Sequence, residues 1–265
     1  MNRSLVSILT IASAFVLFNF TPTPAVAQGR GAPPKKEPPK VGAWWYTGAT
    51  PPPLIDGHPD MTGVWFSGSS ADLSKETIPG QPMVLTPYGA QRYKTVDHSK
   101  DPNTRCLPPG PARMIMMLHP TMLVQRSDMV VFLSESQNVF RIIYTDGRPH
   151  PEDVADYPEW AGNSVGHWEG DTLVVDTVAL KEQTWLDTSG HEHSDKLKMT
   201  EKFRLADRNT LEMLVTYEDP VFFQKPFTTR RLTKRQIGDR IFSHSCLENE
   251  KDSDHLVPTL GDAGR

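Results

Sequence analysis

Long apolar runs are scarce in this chain. Only Leu5–Phe20 is uninterrupted enough to notice, and no later stretch approaches its length. It falls short of the roughly 20 residues a spanning helix needs, so the mature protein is expected to carry no membrane span. A strong charge of either sign is also missing. The formal net charge is -4, and Lys and Arg are scattered apart from the alternating "RRLTKR" at Arg230–Arg235, so no nucleic-acid partner is expected. Cysteine is limited to Cys106 and Cys246, with no paired Cys-x-x-Cys spacing of the kind that holds structural zinc. Convincing long helical periodicity is absent, as is any repeat of fixed period. There is no Walker loop, no dinucleotide-type glycine run and no His-Glu-x-x-His. The letters Gly-x-Ser-x-Gly occur at Gly162–Gly166, but in hairpin context rather than the strand–turn–helix setting of a nucleophile elbow.

What is present first fixes the compartment. The start, "MNRSLVSILTIASAFVLFNFTPTPAVAQ", sets Arg3 before the apolar run and ends in Ala25-Val26-Ala27. That is the layout of a secretory signal peptide, with cleavage expected after Ala27. Export to the periplasm or beyond follows, and an oxidising compartment invites a Cys106–Cys246 disulfide. Closing so long a loop is worth about 4 to 5 kcal/mol in chain-entropy models.

Residues 28–59 read as an extended arm rich in proline and lysine, carrying the aromatic run Ala43–Tyr46. From Asp60 to the C-terminus one domain is expected, and its signals are those of strands. "TMLVQ" and "MVVFLS" flank Arg126-Ser127-Asp128, "QNVFRIIYT" ends at Asp146-Gly147, and "SVGHW" and "TLVVDTVAL" flank Glu169-Gly170-Asp171. Period two is clearest where Leu197, Met199, Phe203 and Leu205 share a face with Glu201, and where Leu211, Met213, Val215 and Tyr217 share the next. Two more strands are expected near Phe227–Lys234 and Arg240–Ser245, and single helical turns near Thr86–Lys94 and Pro111–Leu118. About ten strands joined mostly by short turns must hide their edges. The expectation is all-β: an antiparallel up-and-down barrel, with a barrel-like sandwich as the alternative.

"GVW" at Gly63–Trp65 resembles the Gly-x-Trp start of lipocalin-type barrels. The strings "CLPPGPAR", "DGRPHP", "GNSVGHWEGDTLVVDT", "TWLDTSGHEHS", "TEKFR" and "CLENEKDSDH" together resemble a family of uncharacterised exported bacterial proteins. That resemblance implies export and a β-rich fold. It supplies no catalytic residue.

The residues that could carry chemistry cluster in "WLDTSGHEHSDKL", Trp185–Leu197. If this segment is extended, His191 and His193 face one way and can present two nitrogens to a divalent metal, with His119, His150, His167, His255, Asp187 and Glu201 as further donors. A metal-free acid–base site and a polar rim loop are the other readings. His150 sits between Pro149 and Pro151, on a stiff loop that suits either a positioned catalytic group or a structural turn. Glu201, alone on an apolar face, and Asp176 are carboxylates whose chemistry depends on facing inward; Arg141 and Arg204 are the partners considered for Glu201. Met199, Phe203, Met213 and Tyr217, with Trp185 nearby, would line a barrel interior suited to a small apolar or aromatic molecule. Three functions stay open: an exported binder of such a molecule, a lyase- or hydrolase-type enzyme using His150, His191, His193 and Glu201, and an envelope interaction protein docking through its arm.

Overall fold

The computed structural model describes residues 54–66, 68 and 70–246. The expected leader, most of the expected arm with Ala43–Tyr46, and His255 lie outside them. Cys106 and Cys246 are joined in a disulfide, 140 residues apart in sequence and 5.6 Å apart at Cα. Among the described residues no helix is long and apolar enough to cross a membrane.

Two short strands, β1 (Leu54–Ile55) and β2 (His58–Pro59), form a hairpin at the end of the expected arm. His58 stacks on Trp168 at 4.4 Å and bonds the Gly170 carbonyl. Strand structure is therefore present ahead of Asp60. Next come β3 (Gly63–Phe66), β4 (Thr121–Gln125), β5 (Met129–Ser134) and β6 (Phe140–Tyr144). After them come β7 (Asn163–Glu169), β8 (Thr172–Val178), β9 (Lys198–Asp207), β10 (Thr210–Glu218) and β11 (Phe227–Arg235). Strands β3 to β11 close into a barrel in sequence order, and no strand forms at Arg240–Ser245.

A ring of nine strands cannot alternate direction all the way round. One neighbouring pair must run parallel, and here it is β6 with β7, matched at Ile143↔Ser164 and Tyr144↔Val165. The barrel is thus mixed rather than purely up-and-down. The connection 145–162 makes this possible by running the length of the wall before β7 starts, as a parallel crossover must. The β11–β3 closure is equally short, with Lys234↔Phe66 and Arg235↔Trp65. Two contiguous meanders, β3–β6 and β7–β11, therefore meet at two brief seams.

Arg141 rivets the parallel seam from inside. From β6 it donates to Ser164 on β7, Thr177 on β8 and both carboxylate oxygens of Glu201 on β9. Around this pair the interior holds two apolar clusters. One cluster includes Trp65, Leu123, Phe132, Ile143, Phe203 and Met213. The other holds Met199, Val215, Tyr217 and Phe227 and extends into loop residues Leu73, Leu186, Phe222 and Phe223. Burial also pushes the Tyr217 hydroxyl pKa well above the ordinary phenol value.

The strand registers place the connections 67–120, 179–197 and 219–226 at the same end of the barrel, while the turns 126–128, 170–171 and 208–209 close the other. Helices α1 (Pro87–Lys94) and α2 (Gly110–Met114) belong to this cap. Thr86 accepts from Gly89 N to start α1, with Pro87 in its first turn. A Cβ on Gly89 would lie 2.5 Å from the Phe222 carbonyl oxygen, so glycine lets the helix lie directly on the 219–226 loop.

Candidate functional site

The segment expected to be extended at His191 and His193 is coil, and it folds over the barrel end. Its two imidazoles serve different partners. His193 is buried, with Nδ1 2.9 Å from the Ser194 carbonyl and Nε2 2.6 Å from Thr184 Oγ1. A carbonyl only accepts, so Nδ1 carries the proton and a neutral ring receives the Thr184 hydroxyl at Nε2. Burial holds the His193 pKa below the ordinary histidine value, which keeps the ring neutral. With both nitrogens bonded, His193 has no lone pair to share, which removes the His191/His193 metal pair. The extended backbone on which that pair depended is absent.

His191 turns to Asp187 instead. Its Nδ1 lies 2.6 Å from Asp187 Oδ2, and its backbone N–H donates to Asp187 Oδ1 at 3.1 Å. Asp187 is fully buried and also accepts from Leu73 N at 2.7 Å. The other face of the His191 ring stacks on Tyr93 at 4.3 Å, with planes 7° apart. Gly190 makes the turn that brings His191 back. Its φ is +89°, and a Cβ there would meet Val96 Cγ2 at 2.8 Å. Asp72, 115 positions before Asp187, completes a cluster in which one donor atom from each of Asp72, Asp187 and His191 lies within 4.8 Å of the others. Its segment is sewn to the 187–191 turn by Ser189 N and Thr188 Oγ1, both donating to the Ala71 carbonyl. Burial acts to raise the Asp72 pKa, but hydrogen bonds from Ser74 and Lys75, with the nearby His191, together set it below the ordinary value. A buried carboxylate holding Nδ1 fixes the tautomer and leaves Nε2 as a base, so the pair can do proton transfer.

The other expected site residues separate. His150 bonds Asn163 through Nδ1 at 2.6 Å, pinning the crossover to the first residue of β7, while its Nε2 is buried and unpartnered. Among the described residues no hydrogen bond joins any two of His150, His191 and His193. Glu201 is paired with Arg141 rather than Arg204, inside the packed wall where no substrate reaches it. Arg204 instead bonds Glu212 on the outside. Asp176 faces out and accepts from Thr200 Oγ1. Met199, Phe203, Met213 and Tyr217 do point inward, but they pack on their neighbours. A cavity of about 20 Å³ remains beneath Trp65, Met114, Phe132 and Met213, room for roughly one water and not for an aromatic ligand. Trp185 is buried in the cap, edge-on to His98.

Open space lies outside the wall, along the crossover. A cleft of about 470 Å³ is lined by Pro108, Gln137, Asn138, Phe140, Trp160 and Lys181, among others. The Phe140 side chain is largely exposed, and Lys181 Nζ lies 5.1 Å from the Trp160 ring centre. Gln137 and Asn138 both have left-handed backbone, at φ 56° and 53°, a costly conformation for two successive non-glycine residues. They are held there by Gln137 Nε2 bonding Asn103 Oδ1 and by a two-way bond between Asn138 and the His244 backbone. Sequence reading passed over this cleft. Its one signal was Trp160 after Pro158-Glu159, in a stretch without strand alternation. No protein-family model and no curated protein matches the chain.

Proposed function

We propose that the protein is an exported binder of a small aromatic molecule, held in the outer cleft beside Phe140 and Trp160 and not inside the barrel. One contrast carries this reading: the cavity inside the wall holds about 20 Å³, whereas this outer cleft offers about 470 Å³ together with the Phe140 and Trp160 rings, which the neighbouring cleft of about 540 Å³ along Val154, Lys196 and Glu218 lacks. Small-molecule sites commonly occupy roughly 300–1,000 Å³ and combine apolar rings with a few polar groups. Phe140 and Trp160 offer ring faces, Lys181 a cation, and Gln137 and Asn138 amides. The strained Gln137–Asn138 turn is fixed before any ligand arrives, which lowers the ordering cost of binding. The leader and the disulfide support export.

Titration with anilinonaphthalene sulfonate, an aromatic fluorescent probe, tests the site. Saturable binding is expected, weakened about tenfold or more by Phe140→Ala and by Trp160→Ala, on the scale of a lost aromatic contact. Met213→Leu, inside the barrel, should leave it unchanged. Sensitivity to Met213→Leu with indifference to both cleft variants would overturn the assignment.

A lyase- or hydrolase-type enzyme is the second reading, favoured by the Asp187–His191 pair, whose geometry is that of a carboxylate-oriented general base.

A further inference from the structure

The cap carries a second site that is independent of the cleft. We infer that Asp72, Asp187 and His191 form a binding site for one divalent cation of the zinc class. Three donors from two segments far apart in sequence converge to within 4.8 Å. Zn–N and Zn–O bonds of about 2.0–2.2 Å put tetrahedral ligands roughly 3.5 Å apart, so Asp72 has to close in, while His191 Nδ1 and Asp187 Oδ2, now 2.6 Å apart, have to release the proton between them to solvent and separate as the ion enters. Asp72 can supply that movement. It lies at the start of a short 3₁₀ turn, Leu73–Glu76, and its side chain is partly open to solvent.

Charge balance argues the same way. Two carboxylates stand beside a single imidazole. Asp187 is fully buried and accepts from two backbone N–H groups and the His191 ring. The cation nearest Asp72 is Lys75, 3.3 Å away, with a side chain 80% exposed. A dication entering here would pair with both carboxylates at once, in place of the exposed Lys75 contact and the proton on the imidazole. Oxygen and imidazole donors without a thiolate suit zinc or manganese better than cuprous copper. Three protein ligands leave a coordination position free for water or an anion.

The surroundings already hold these groups in place. Leu73 N and His191 N orient the Asp187 carboxylate, Tyr93 stacks on the imidazole, and the Ala71 carbonyl ties the two segments. Such outer contacts fix ligand geometry, and losing one commonly costs 10–100-fold in affinity. His193, two residues away, contributes nothing, since Thr184 and Ser194 occupy both its nitrogens.

The test uses the full mature chain, free of affinity tag and stripped with chelator, titrated with zinc chloride alone in a calorimeter. One ion per chain is expected. Asp72→Asn and His191→Gln should each weaken binding at least about 100-fold, while His119→Gln, placed beside His244 and Glu135, should not. Circular dichroism of Asp72→Asn confirms that the fold survives. Absence of stoichiometric uptake overturns the inference, as does uptake that survives both variants or is lost in His119→Gln. The fluorescent probe reads the outer cleft separately, so failure at one site leaves the other judged on its own result.

Discussion

The barrel interior and the cap both bury charge, but they satisfy it differently. Inside the wall, Glu201 is met by Arg141 and Thr177, both of which also bond Ser164, side chains that the pleat aims at one another from adjacent strands. In the cap, Asp101 has the Arg113 guanidinium, but Asp187 and Asp219 are met largely by backbone. Asp187 takes Leu73 N and His191 N, and Asp219 takes Ser194 N, Val221 N and Phe222 N. A sheet leaves its own backbone groups engaged in the ladder, so interior charge has only side chains to pair with. Coil leaves backbone N–H groups free, and aspartates recruit them. The first arrangement closes a seam. The second fixes the orientation of groups that can act on something else.

Breaking the interior arrangement should cost most. Glu201→Ala leaves the Arg141 guanidinium buried without its carboxylate, and a loss of about 3–5 kcal/mol in unfolding free energy is expected from urea melts. Replacing both partners together, Arg141→Met with Glu201→Leu, should recover much of that loss. If the single and double variants are equally unstable, the ion pair is not what the seam depends on.

The cap should reveal itself through pH. His193 is neutral when folded and has a depressed pKa, whereas the unfolded chain takes up a proton near pH 6.5. The unfolded state therefore binds more protons below that value, and stability present above it is lost as pH falls toward the folded pKa. The slope from this group reaches at most about 1.4 kcal/mol per pH unit. His193→Gln should flatten the stability profile between about pH 6.5 and 5. An unchanged slope in the variant would assign the effect to other groups.

The rim should matter least. Arg92 and Glu192 form a two-bond ion pair at 2.7 Å across the cap, but the Arg92 side chain is half exposed. Arg92→Ala is expected to cost less than about 1 kcal/mol, and less still in high salt. A thermal-melt shift as large as that of Glu201→Ala would erase the distinction between wall and rim.

Much of the wall was legible in the sequence because its information is local. Met199 to Leu205 and Leu211 to Tyr217 alternate, and the structure pairs them face to face as β9 and β10. The helical turns near Pro87 and Gly110, and the cysteine pair, could be read for similar reasons. The parallel seam could not. It depends on where the crossover 145–162 travels, and no pattern within "TDGRPHPEDVADYPEWAG" records that path. The cap was legible by halves. Asp187 and His191 lie on one turn and were visible as neighbours, whereas Asp72 reaches them only through tertiary folding. The strand expected at Arg240–Ser245 does not form; that stretch instead packs its backbone against Glu135 and Asn138 and leads to the disulfide.

Because the ring consists of two unbroken arcs, the chain is in effect a two-piece kit. A protease nick within 146–162 would sever no strand, and the Cys106–Cys246 bond would still tether the fragments covalently. Separate expression of the pieces on either side of that strap, followed by mixing, is the natural way to learn whether either arc holds its shape before it meets the other.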